Sequence, residues 1–212
     1  MSQRRRSTGS GRPDRERPRR RFFTWWRVLA VLVAAAMVVS TALYLRGPDQ
    51  VRRLFYPLSY QQEIAQAASD HQINPYLLAA VIECESGWNP DAVSGAGAVG
   101  LMQMLPDTAR QVAQMGLVDS DAYPVSELAS PEVNIQYGAA YLRYLIDYYD
   151  EVEHAVAAYN AGIGTVDAWT QGGGNIRDEV QYPETSHYLL RVVRAREAYA
   201  QLYPDAFPGW SS

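Results

Sequence analysis

Two kinds of hydrophobic pattern divide the chain. From Val28 to Leu45 there are 18 residues without a charge, interrupted only by Ser40, Thr41 and the Tyr44 hydroxyl. In a helix this run spans about 27 Å, close to one bilayer hydrocarbon core. Beyond it, apolar positions recur at helical rather than alternating spacing, and strand signals are scarce. Ser59 to Gln72 carries Ile64, Ala65, Ala67 and Ala68 in a helical pattern. Asn74-Pro75 supplies an N-cap with proline at the first helical position, and Gly87 supplies the stop. Further helices are predicted from Pro106 to Met115, from Pro131 behind Ser130 to about Tyr149, and from Glu153 to Asn160. A short segment near Thr165–Trp169 precedes a Gly172-Gly173-Gly174 loop, and Pro183 opens a last helix to about Tyr203. No internal repeat is present. The predicted fold class is mainly α: a single domain with Gly-rich loops, preceded by one N-terminal transmembrane helix.

Charge sharpens this division. The net charge of −4 hides a segregation: residues 1–27 carry ten Arg against Asp14 and Glu16, a net of +8, and the remainder carries −12. Residues 1–24 read as a disordered basic cytoplasmic tail, 25–46 as the anchor, 47–57 as a linker and 58–212 as the outer domain. Phe22, Phe23, Trp25, Trp26 and Tyr44 lie at the ends of the apolar run, as an interfacial aromatic belt does, and Arg27 and Arg46 bracket it. The Arg asymmetry places the N-terminus in the cytoplasm and the domain outside. A cleaved signal peptide is the competing reading; it has a shorter apolar region, about 7–15 residues. A lipid-modified N-terminus would need a Cys just after the run, and the one Cys is Cys84. The net charge of −12 on the outer part makes it a poor partner for a phosphate backbone, so no nucleic acid is expected. His71, His154 and His187 are scattered, so no metal or cofactor is expected.

Two helices carry the candidate chemistry. In the 131–149 helix, Ile135, Leu142, Ile146 and Tyr149 share one face, and Tyr137, Tyr141, Tyr144 and Tyr148 share the opposite one. A helix apolar on two sides is a central helix. The Tyr stripe reads either as core with satisfied hydroxyls or as the lining of a sugar cleft. In the 75–88 helix, Leu78, Val81, Ile82, Glu85 and Trp88 form one apolar stripe, with Glu83 on the other face. A carboxyl at the end of such a stripe is desolvated, which raises its pKa and suits it to be a general acid. The plain alternative is that Glu85 turns out to solvent at the helix end. After Gly87-Trp88-Asn89-Pro90, the run Ser94 to Gly100 is a small-residue loop that lets a bulky ligand approach the backbone, and Gln103 adds an amide beside it.

At these residues the chain resembles the soluble-type (SLT) lytic transglycosylases, which have a lysozyme-like fold. Glu85-Ser86-Gly87-Trp88-Asn89-Pro90, Ala92, Ser94, Gly97-Ala98, Gly100-Leu101-Met102-Gln103 and Pro106-x-Thr108-Ala109 carry the signature. Asn134-Ile135-x-x-Gly138-x-x-Tyr141-Leu142, Ala157-Ala158-Tyr159-Asn160-Ala161-Gly162 and Glu184-Thr185-x-x-Tyr188 follow in the family's order. The resemblance implies Glu85 as the one catalytic acid and base. It implies Ser94, Gln103, Tyr159 and Glu184 as holders of the glycan, and Gly100, Asn160 and Tyr188 as supporting positions. The family's Ile-Met after the Gln is Met104-Leu105 here, so Leu105 becomes the apolar cleft contact. The implied partner is the peptidoglycan glycan strand, and the implied reaction is non-hydrolytic cleavage between MurNAc and GlcNAc. A hydrolytic muramidase and a catalytically dead peptidoglycan-binding module are the alternatives.

Overall fold

A computed structural model describes residues 22–46, 49–170 and 176–210; residues 1–21 of the basic tail and the Gly172-Gly173-Gly174 loop lie outside them. The chain divides into two compact units, 1–48 and 49–212. The first contains α1 (Phe22–Arg46), helical over the whole apolar run. Its described apolar side chains, Trp25, Leu29, Val33, Met37 and Leu43 among them, are exposed on every face. Among the described residues no helix is long and apolar enough to cross a membrane. In α1 the described side chains are those of 25–41 and 43, only part of the uncharged run.

The second unit is helical: α2 (Asp49–Arg53), α3 (Gln61–Asp70), α4 (Pro75–Ser86), α5 (Pro106–Gln114), a 3-10 turn (Val125–Glu127), α6 (Pro131–Tyr149), α7 (Val152–Ala161), α8 (Ile163–Thr170), α9 (Ile176–Glu179) and α10 (Pro183–Leu202). Its bounds follow local chemistry. The Asn74 side chain accepts from the Tyr76 and Leu77 N–H groups, and Ser130 accepts from Val133 N–H. Gly87 closes α4 at φ +57°, where a side chain would be strained. The predicted linker 47–57 is not featureless. It contains α2, and Arg53 donates to the Leu202 carbonyl at 2.6 Å with its guanidinium 4.8 Å from the Tyr203 ring. Five residues carry too little periodicity to announce a helix; the C-terminal end of α10 supplies the stabilisation. The four-residue α9 is unannounced for the same reason.

Helices α4 and α6 are central. α4 packs on α3 and α10, and α6 on α3 and α7. Every residue of α4 from Pro75 to Ile82 is buried. That corrects the single stripe expected from the sequence: both α10 and α3 pack on the helix. Glu83, on the other face from Glu85, is half-buried, and its Oε2 accepts from the Tyr199 hydroxyl at 3.2 Å. In α6, Ile135 and Leu142 are fully buried, whereas the Tyr stripe grades outward: Tyr137 is buried, Tyr141 and Tyr144 are half-buried, and Tyr148 is exposed.

Candidate active site

The end of α4 delivers Glu85 to α10. After Gly87, Trp88 also takes a left-handed backbone, φ +67°, which costs energy for a residue with a β-carbon. Its indole holds it there: Nε1 donates to the Tyr199 hydroxyl at 2.8 Å, and the two rings meet edge to face. Tyr199 in turn bridges to the Pro57 carbonyl and Glu83. The turn that fixes Glu85 is therefore clamped from behind.

Glu85 meets Tyr188, whose hydroxyl donates to Glu85 Oε1 at 2.6 Å. Tyr188 is 5% exposed, and Glu85 is half-buried. Burial pushes the Glu85 carboxyl above its ordinary value; the Tyr188 hydrogen bond and the Arg191 charge oppose that rise without cancelling it. With Oε1 engaged, a proton on this carboxyl resides on Oε2. Arg191 is itself engaged with the Cys84 carbonyl at 2.9 Å. Burial, then the charge of Glu85, raise both Tyr159 and Tyr188 well above the usual phenol value, so both stay protonated donors. Cys84, pushed up to about 11 mainly by burial, is an unreactive thiol.

The small-residue loop is a miniature hairpin. Val99 and Met104 exchange N–H···O bonds of 3.0 Å, Ser94 N–H donates to the Ala98 carbonyl, and Ala98 N–H donates to Ser94 Oγ. Gly100 sits at φ +76°, and a β-carbon there would lie 2.5 Å from Asn134 Nδ2. Gln103 donates from Nε2 to the Ala92 and Gly100 carbonyls, both at 3.0 Å, so its donors brace the loop and Oε1 is the group left to face a ligand. Tyr159 donates to the Met102 carbonyl at 2.8 Å, tying α7 to the loop. Leu105 is 40% exposed at the start of α5 while Met104 is buried, so Leu105 offers the apolar contact.

Asn134 is a residue whose role the sequence did not disclose. It is fully buried; Oδ1 accepts from Met102 N–H at 2.7 Å, and Nδ2 donates to the Val99 and Leu128 carbonyls at 2.9 Å. The available signal was an Asn between Val133 and Ile135 on an apolar face, since a buried amide must have partners. Asn160 accepts from Thr185 Oγ1 at 3.0 Å and joins α7 to α10. Glu184 is exposed in the first turn of α10 and makes no hydrogen bond to this group. The structure thus brings Glu85, Tyr188, Tyr159 and the 94–104 loop together and leaves Glu184 at the periphery. A cavity of about 630 Å³ lies elsewhere, between α7 and the flank of α10 that carries Leu189, Val193 and Glu197. None of the predicted site residues lines it. Among the described residues no group of His, Cys, Asp and Glu side chains could hold a metal.

Fold and site define a mainly helical domain with a half-buried carboxyl, Glu85, beside a small-residue hairpin. Residues 62–181 match the family described as the Transglycosylase SLT domain. The chain belongs to that family. It is 32% identical over 155 residues to the soluble lytic murein transglycosylase of Escherichia coli K12, covering 70% of this chain and 24% of that protein. It is 47% identical over 73 residues to the endo-type membrane-bound lytic murein transglycosylase A of Klebsiella pneumoniae, covering 34% of this chain and 36% of that one. An inactive Glu-to-Gln mutant of lytic transglycosylase Slt from Pseudomonas aeruginosa is similar in structure, with TM-score 0.66 and 27% identity over 73% of this chain and 26% of that one. The 70-kDa soluble lytic transglycosylase in complex with bulgecin A gives TM-score 0.65 and 30% identity, over 74% and 26% of the two chains. The chain spans about a quarter of the length of the soluble relatives.

Proposed function

We propose that the domain is a peptidoglycan lytic transglycosylase with Glu85 as acid and then base. The observation that carries this is the half-buried Glu85 carboxyl: Tyr188 holds Oε1, which leaves Oε2 to present a proton, and burial raises its pKa. Glu83, the carboxylate nearest in sequence, is turned to Tyr199, and Asp91 is exposed, so neither accompanies Glu85 as the second acid of an ordinary glycosidase. The relatives named lytic transglycosylases support the same reading.

Glu85 gives its proton to the oxygen bridging MurNAc and GlcNAc as the C1–O bond breaks. The 2-acetamido oxygen of the same MurNAc shields the developing charge at C1, as in substrate-assisted hydrolases. The carboxylate formed takes the proton of the MurNAc 6-hydroxyl, whose oxygen closes on C1. The product is 1,6-anhydro-MurNAc; the acid is regenerated and no water is consumed. The amide oxygen of Gln103, Ser94 and the floor made by Tyr159 orient the sugar, Leu105 packs against it, and Glu184 contacts it from the rim. Gly100 and Asn160 hold the walls. Purified sacculi digested with residues 47–212 are expected to yield muropeptides one water lighter than reducing ends; products of full mass would identify a hydrolytic muramidase.

The N-terminal segment fits this substrate. Residues 25–46 act as a membrane anchor, with 1–24 in the cytoplasm and 58–212 facing the wall outside. Support comes from the uncharged run, its aromatic and Arg flanks, and a helix exposing apolar side chains all round rather than on one face. The protein is expected to stay with the membrane fraction in high salt and to be released by detergent; release by salt would overturn the anchor.

A further inference from the structure

The five tyrosines of α6 differ in what their hydroxyls do. Tyr137 donates to the Tyr123 carbonyl at 3.0 Å, and Tyr148 and Tyr149 donate to the two Asp167 oxygens at 3.1 and 2.9 Å. Tyr141 and Tyr144 have no hydrogen-bond partner among the described residues, and neither hydroxyl is sealed from solvent. Their rings belong to a continuous row. Tyr159 meets Tyr141 at 5.6 Å between ring centres, Tyr141 meets Tyr144 at 6.4 Å and almost parallel, and Tyr144 meets Tyr148 at 6.4 Å. The row begins at Tyr159, whose phenol feels the Glu85 charge, and reaches Tyr148, 52% exposed, whose ring meets that of Tyr149 edge to face at 4.8 Å. Asp167 fixes the outer end by accepting from two phenols.

A row of ring faces with unoccupied hydroxyls between them suits one kind of ligand. A pyranose has an apolar C–H face to lie against a phenol ring and a rim of hydroxyls to bond its oxygen. The buried Tyr137 hydroxyl is paired within the domain, whereas those of Tyr141 and Tyr144 face solvent and are open to a ligand. The carboxylate of Asp167 disfavours anionic ligands at the outer end. We propose that Tyr144 and Tyr148 extend the glycan path beyond the point of cleavage, each receiving a sugar ring of the β-1,4-linked strand, with Tyr141 as the link back to Tyr159 and Glu85. This deepens the transglycosylase reading and rests on it.

The test uses Glu85→Gln as a non-cleaving parent, with chitotriose and chitohexaose as probes in titration calorimetry. In the parent the hexamer is expected to bind more tightly than the trimer. Tyr144→Ala with Tyr148→Ala is expected to remove that gain, lowering hexamer affinity about tenfold while trimer affinity holds. Tyr148→Ala alone, altering an exposed side chain, gives a smaller loss in the same direction and keeps the test if the double variant does not fold. Unchanged hexamer affinity in Tyr148→Ala, or equal losses for both probes, overturns the proposal while the active-site reading stands. A parent that binds neither probe, together with a native sequence that releases nothing from sacculi, overturns both.

Discussion

Glu85→Gln is expected to release soluble muropeptides from purified sacculi at least about 10³-fold more slowly than the native sequence, since proton transfer at the bridging oxygen has no other donor. The amide is nearly the size of the carboxyl and can still accept from Tyr188, so the helical fold is retained and the loss is chemical. Turnover close to native would remove Glu85 from the mechanism. The same carboxyl sets the pH response. Glu85 must be protonated to act, and burial raises its pKa above that of an ordinary carboxyl, so kcat/KM is lost as pH rises through that elevated value. Stability follows the same sense. The raised pKa makes the folded state bind the proton more tightly than the unfolded chain. The stabilisation this gives is complete below the unfolded pKa and lost as pH rises through the folded one. Glu85→Gln removes that dependence, so the variant is expected to melt above the native sequence at alkaline pH, a difference that thermal unfolding across pH would expose.

What could be read from the sequence followed the range of the interactions. Asn74-Pro75, Gly87 and Ser130-Pro131 act on their own helix ends, and the observed bounds lie where these residues put them. The raised pKa of Glu85 was legible because a short apolar stripe is a local pattern. Its partner was not: Tyr188 lies 103 residues further on and reads as architecture until α10 is laid across α4. Gln103 shows the same limit, since its side chain could serve a sugar or the loop, and only the positions of the Ala92 and Gly100 carbonyls reveal that its donors serve the loop. The Tyr stripe was ambiguous because spacing shows that Tyr137 and Tyr144 share a face, not that one hydroxyl finds a carbonyl and the other none. α4 was misjudged as one-sided because a wheel assumes one packing partner, and here two surround it.

Asn134→Ala is expected to lower stability by about 3 kcal/mol, because it strands the buried Met102 N–H and Leu128 carbonyl at once and leaves the Val99 carbonyl with Met104 N–H alone. The groups affected are Met102 N–H and the carbonyls of Val99 and Leu128, all held by the one amide. Two of them belong to the hairpin that faces Glu85, so activity should fall even well below the melting temperature, where the domain is still folded but residues 99–104 have lost their attachment to α6. Asn134→Asp preserves the acceptor for Met102 N–H yet sets a carboxylate against two carbonyl oxygens, and is expected to be no better tolerated. Gly100→Ala approaches the same contact from the opposite side. Its β-carbon would be placed 2.5 Å from Asn134 Nδ2 on a backbone at φ +76°. Neither the hairpin nor the amide can yield without losing the bonds between them, so this variant should destabilise as well. Denaturant midpoints for the three variants, measured beside muropeptide release, separate the possibilities. Lowered midpoints with lost activity fit a hub that shapes the cleft, whereas an unchanged midpoint in Asn134→Ala would mean that the buried amide is not what holds the hairpin in place.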